Sequence, residues 1–210
     1  MKEIFSYNVD VNKTAYMNWR TKYHEQIHNM IVIADGFMKS AILLAETALD
    51  DNLDKKADII VYPMLFNANH AIELYLKAIT WTLNIVLDKT ERIEGSHNIQ
   101  QILQVVKSRV TEFETSREKR EQFRKMISNL EEYINELFSK ISSEDTKCKK
   151  DNMDFSRYPF DQKYVPHFYI SEFYNVVVDL ENFVERFKDI GKNLNLLSTY
   201  YLYDILEAGE

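Results

Sequence analysis

The residues most open to a chemical reading are His24, Glu25 and His28, which form an H-E-x-x-H string. On a helix the two histidines would share one face. They could bind Zn²⁺ there, with Glu25 as general base toward a metal-bound water. That reading needs a third protein ligand. Glu46 is the attractive one, yet on a continuous helix it would lie about 27 Å from His28. Only a break near Gly36 would bring it back. Only 23 residues precede His24, too few to supply a substrate-binding sheet ahead of the helix. Two histidines on a half-exposed helix face are the preferred reading. No metal or other cofactor is expected, and a zinc-dependent hydrolase stands as an alternative.

Other chemistry sits in short segments further along. Glu73 and Lys77 stand at i, i+4 in the favourable order for a helical ion pair, so both read as structural. Ser96 or Asn98 can cap a helix, which puts His97 near its amino terminus, where a neutral imidazole could serve as general base. In Arg157-Tyr158-Pro159, the proline biases Tyr158 toward extended backbone. Arg157 could then offer its two-pronged guanidinium to a phosphate or to a partner's carboxylate. Arg157 and Tyr158 are therefore binding candidates. The competing view is a loop clamped over the protein by Tyr158 and Phe160. Lys119, Arg120, Arg124 and Lys125 lie beside Glu118 and Glu121 and read as a solvated helix face.

Three segments carry a family likeness. The first is Asn67-Ala68-Asn69-His70-Ala71-Ile72-Glu73-Leu74-Tyr75-Leu76-Lys77-Ala78-Ile79, with an A-x-E-L-x-L-K-A string inside it. The second is Gly95-Ser96-His97-Asn98-Ile99-Gln100-Gln101-Ile102-Leu103, and the third Phe155-Ser156-Arg157-Tyr158-Pro159-Phe160-Asp161. Over residues 61–161 the chain resembles the HEPN superfamily, small all-helical domains of prokaryotic nucleotide-binding and RNase proteins. Catalytic HEPN proteins carry an R-x4-6-H motif and cut RNA without metal. The resemblance implies that a histidine handles the proton of the 2′-OH or leaving group while an arginine steadies charge on phosphorus. Arg92 and His97 fit that spacing. Ile93, however, replaces the polar residue usual after the arginine, and the pair straddles a loop where the family uses a late helix. In the late region His167-Phe168-Tyr169 echoes the H-x-Y of HEPN toxins, but nine residues separate Arg157 from His167. The candidate catalytic residues are thus Arg157, His97, His167 and Arg92, none in the family's own arrangement.

Elements to position these residues are helical almost throughout. Ile27, Ile31, Ala34, Met38, Ile42, Ala45 and Leu49 predict a helix from Thr14 to about Asp50, capped by Asn12 or Thr14. A second runs from about Lys55 to Leu87, with a kink or fresh start at Pro63. A short helix follows from Ser96 through Val110, and Phe123, Ile127, Leu130, Ile134, Leu137 and Ile141 mark another. Periodicity fails from Ser142 to Ile170, predicting a long loop. Helices return over Ser171–Lys192 and Leu194–Leu206. The expected fold is all-α, a single antiparallel helical bundle over residues 1–210, with residues 55–87 and 97–141 supplying its central helices.

Composition narrows the function classes. With 26 basic and 33 acidic residues the net charge is −7, a poor basis for general RNA or DNA binding, though an RNA partner stays open. Four glycines and three prolines argue against glycine-rich phosphate loops. No stretch approaches the roughly 20 apolar residues of a membrane span, and the start lacks a signal peptide. Cys148, alone among lysines, reads as an exposed thiol of a cytoplasmic protein. The leading expectation is a HEPN-like interaction or regulatory module of a prokaryotic defence or toxin–antitoxin system. It would work through a protein partner or as a homodimer, with Phe168, Tyr169, Phe173 and Tyr174 as the motive for pairing. A metal-independent HEPN endoribonuclease is the second expectation, so whether the chain is an enzyme is left open.

Overall fold

Small residues set the architecture. Ala34, Ala41, Ala45 and Ala48 recur along one side of α1 (Gln26–Asp50), and Ala68, Ala71 and Ala78 along α2 (Ala57–Val86). All seven are sealed from solvent, so the two longest helices approach closely and run antiparallel from a short connection. The computed structural model describes residues 2–90, 97–141, 153–161, 163–171 and 175–207. Within these, α3 (Ile99–Phe113), α4 (Arg117–Met126), α5 (Ser128–Ile141), the short α6 (Phe168–Ser171) and α7 (Leu180–Thr199) complete an all-α bundle. The only β pairing among the described residues is an isolated bridge between Phe160 and Pro166.

α2 is the axis of the bundle, packed on by α1, α3 and α7. Its Ile72, Leu76, Ile79 and Leu83 are fully buried, each worth roughly 1.5–3 kcal/mol of transfer free energy. α7 closes on α1 through Gly191, where an added Cβ would lie 2.7 Å from Met38 Cγ. A side chain there would have to displace Met38, itself 2% exposed. Buried apolar residues from α1 to α7 form one continuous cluster.

Several boundaries differ from the sequence reading. α1 starts at Gln26, not near Thr14. Residues 14–25 are coil and turns, and His24 sits in a left-handed turn at φ 70°. α2 runs through Pro63 without a break. Pro63 lies in the second turn on the exposed face, so its missing N–H orphans only a solvent-facing carbonyl. Asn98 caps α3, its Oδ1 accepting from Gln101 N at 3.0 Å. The stretch expected as one helix up to Ile141 is two, because the chain turns at Ile127. The final two expected helices are one continuous rod. α7 passes directly into a π-helix over Tyr200–Leu206. At its other end, residues 175–179 are irregular and exposed, where a helix was expected.

α1 also departs from the expectation about apolar stretches. It is long and apolar enough to cross a membrane by length and composition, with a mean hydropathy of 1.4 over its best window. In the bundle Ile31, Ala34, Met38, Ala41 and Ala45 are buried where α2 and α7 pack, while Ile33, Leu43 and Leu49 stay exposed.

Candidate functional site

The central carboxylate is Glu73, on the face of α2 turned toward α3. Lys77 Nζ donates to its Oε1 at 2.7 Å, His97 Nδ1 reaches the same oxygen at 3.0 Å, and His70 Nδ1 lies 3.8 Å from Oε2. Glu73 and Lys77 do form the i, i+4 pair read from sequence. They do not decorate a surface, though: both side chains are about nine-tenths buried, under a small cleft. Burial pushes the Glu73 carboxyl up. The nearby His70 imidazole, the hydrogen bond and charge of Lys77, and the charge of His97 more than offset that and hold it at about 2.

A carboxylate oxygen can only accept, so His97 carries a proton on Nδ1 when it faces Glu73. In neutral imidazole this leaves Nε2 as the basic atom. The His97 side chain is 68% exposed, so it offers that atom at an open mouth. His97 stands just before the Asn98 cap of α3, close to where the sequence put it.

The opposite wall is the segment 153–161. A 3₁₀ turn, Met153–Ser156, places Arg157 so that its N–H and that of Tyr158 both donate to Asp154 O, at 2.8 and 2.9 Å. Asp161 braces the far side of the loop: its Oδ1 accepts from Lys163 N and Val165 N at 2.8 and 2.9 Å. The Arg157 guanidinium lies 5.7 Å over the Phe66 ring and 3.5 Å from Asp154 Oδ1. Phe66 in turn stacks on His70 at 5.7 Å, and Phe37 meets His70 edge-on at 4.6 Å. Arginine, phenylalanine and imidazole thus form a short stack along one side of the cleft.

The cleft encloses about 90 Å³ and is lined by residues that include Asn69, His97, Ser156 and Arg157. Two buried polar atoms on its lining have no protein partner, Asn69 Nδ2 and Ser156 Oγ. Asn69 is fixed from behind, its Oδ1 accepting from the Tyr133 hydroxyl at 2.7 Å. Its free amide is therefore a positioned donor, not a mobile one.

The four sequence candidates separate here. His97 and Arg157 line the same cleft although they come from distant parts of the chain. His167 does not join them. It is 3% exposed beneath the loop, its N–H donating to Pro159 O at 3.1 Å and its Nε2 unpartnered. Burial lowers its pKa against the opposing pull of Asp161 and Asp154. Arg92, like Cys148, lies outside the described residues. The loop is not clamped by Tyr158 and Phe160, which are 52% and 42% exposed. Phe155 and His167 anchor it instead.

The geometry expected of the H-E-x-x-H string is absent. His24 is off the helix, Glu25 pairs with Lys22 at 2.9 Å, and Glu46 pairs with Lys188 at 2.6 Å. Both ring nitrogens of His28 are engaged, Nδ1 with the Tyr203 hydroxyl and Nε2 with Arg20 O at 3.0 Å. Among the described residues no group of three or more His, Cys, Asp or Glu is placed to hold a metal ion.

His70, Asn69, Phe66, Asp154 and Ser156 were not singled out by sequence reasoning. His70 had a signal: it precedes Glu73 by three residues and shares its helix face. Asn69 and Ser156 had none, since a buried unpartnered atom exists only once the fold is assembled. No family model, curated protein or solved structure matches this chain.

Proposed function

We propose that this chain is a HEPN-like interaction module of a prokaryotic defence or toxin–antitoxin system, acting in the cytoplasm on a protein partner through the Glu73–His97–Arg157 cleft. The observation that supports this reading is the pairing inside the cleft. The basic side chains there already face carboxylates: His97 shares Glu73 with Lys77 beneath the cleft, and Arg157 faces Asp154. A surface of pre-formed, partly exposed ion pairs suits exchange. An acidic group of a partner takes over Arg157 from Asp154 at the mouth of the cleft, with little reordering of the arginine. Two fixed carboxylates and a net charge of −7 disfavour a polyanionic substrate.

The second reading, a metal-independent endoribonuclease, is favoured by one observation: His97 and Arg157 meet in one cleft, as acid–base cleavage of a phosphodiester needs. Single-stranded RNA incubated with the full chain in EDTA separates the two. The interaction module leaves the RNA intact. EDTA-resistant cutting that needs a 2′-OH, and falls roughly 10²–10⁴-fold in His97→Ala or Arg157→Ala, would overturn it in favour of the nuclease.

A further inference from the structure

A second and larger cavity, of about 420 Å³, opens between α4 and the junction of α7 with the π-helix. Its size lies within the range of small-molecule sites. Phe123 and Met126 of α4 and Leu196 and Leu197 of α7 give it apolar walls. Two carboxylates share the lining, Glu114 at the end of α3 and Asp204 on the π-helix. The π turn admits one more residue per hydrogen-bonded loop than an α turn, and it swings Tyr200 and Asp204 onto this side.

Charge in this cavity is unbalanced in a way the first cleft is not. Glu114 is 5% exposed, yet its nearest cation, Lys119 Nζ, stands 3.8 Å away. Arg120 does not relieve it, because its guanidinium is spent on the backbone carbonyls of Glu114 and Thr111. Lys119 instead donates to the Tyr200 hydroxyl at 3.1 Å, with its ammonium 5.8 Å from the centre of the Tyr200 ring. Half of the Lys119 side chain is exposed, so it leans across the mouth without filling the interior. The protein's own ammonium therefore already samples what the cavity offers: a ring, a phenolic oxygen and a carboxylate beyond reach of a close contact.

We propose that this cavity binds a small organic cation, a primary ammonium on a short apolar stem, and that Lys119 competes with it. The stem lies against Phe123, Met126, Leu196 and Leu197. The ammonium completes the pairing of Glu114 and Asp204 beside Tyr200. A neutral ligand would leave Glu114 as poorly paired as before, and an anion would meet two carboxylates. None of the cleft residues around Glu73 lines this cavity, so the proposal is independent of the function proposed above.

Calorimetric titration of the full chain with 2-phenylethylamine, and with the neutral isostere 2-phenylethanol, tests it. The amine is expected to saturate a single site and the alcohol to bind at least about tenfold more weakly, since only the cation gains from the ring and carboxylates. Glu114→Gln should weaken the amine about tenfold, and Lys119→Met should tighten it severalfold by removing the internal competitor. Asp204→Asn, at an exposed position, repeats the loss should Glu114→Gln disturb the fold by circular dichroism. Absence of saturable binding overturns the proposal. So does equal affinity for the alcohol, or an amine affinity that neither carboxylate variant lowers.

Discussion

Glu73 and Glu114 are both buried carboxylates beside a lysine, and the molecule treats them in opposite ways. Glu73 is surrounded: Lys77 and His97 sit within 3.0 Å of one oxygen and His70 within 3.8 Å of the other. Glu114 has one ammonium at 3.8 Å, and that ammonium's close partner is a tyrosine hydroxyl. The difference follows from where the cations are anchored. Lys77 is one turn along the same helix as Glu73, so helix geometry fixes the pair before any tertiary contact forms. Lys119 is only five residues from Glu114, but the turn between α3 and α4 separates them, so no single helix fixes their spacing.

The largest expected effect is on stability. Glu73→Ala leaves Lys77, 12% exposed, without its carboxylate, and should cost about 3–5 kcal/mol in urea unfolding. Glu114→Ala removes a loosely held charge and should cost under about 1 kcal/mol. Equal losses would erase the distinction between the two sites. Next in size is Gly191→Ala, a control that touches neither carboxylate. Its Cβ would strike Met38 Cγ, a strain of roughly 1–3 kcal/mol, readable as a lowered Tm.

Acid titration sharpens the contrast further. Because the folded-state pKa of Glu73 is held at about 2, below its ordinary value of 4.5, its pairing stabilises the protein above pH 4.5. That contribution should fade as pH falls from 4.5 to 2. Allowing for solvent screening at the open cleft, it amounts to about 2 kcal/mol at most. Glu73→Gln should flatten this part of the stability profile, read by urea unfolding at pH values between those limits. The smallest effect belongs to His97→Ala. Its ring is largely in solvent, so stability should move by less than about 0.5 kcal/mol. A larger loss would mean that His97 serves the fold more than the cleft.

What the sequence disclosed divides into spacing within one helix and contacts that exist only once the helices have packed. The stripe that starts at Ile27 and the Glu73–Lys77 pair depend on spacing within one helix and were legible, except that Leu49, expected at the end of the buried stripe, is exposed. The start of α1 was not, because Tyr16, Trp19 and Tyr23 carry apolar character into a segment that stays exposed. Pro63 was overread as a break, since only burial tells which face of the helix its lost hydrogen bond would fall on. Lys192 and Asn193 were taken as the end of a helix, although neither residue type breaks one. At the site, His97 and Arg157 were each named for their own chemistry. Their meeting in one cleft comes from α3 and the 153–161 loop packing on the same stretch of α2, which no spacing rule contains.

The contact between Gly191 and Met38 joins a helix made early in synthesis to one made late. α1 can pair with α2 as soon as both have emerged, yet its third wall does not exist until α7 has cleared the ribosome. Over that interval the apolar side of α1 beneath α7 stays open to water and to any other apolar chain nearby. A contact of such long sequence separation also carries a high loop-closure cost, which places docking of α7 late in folding. The glycine that lets α7 settle against Met38 thereby ties the closing of this core to a helix made long after α1.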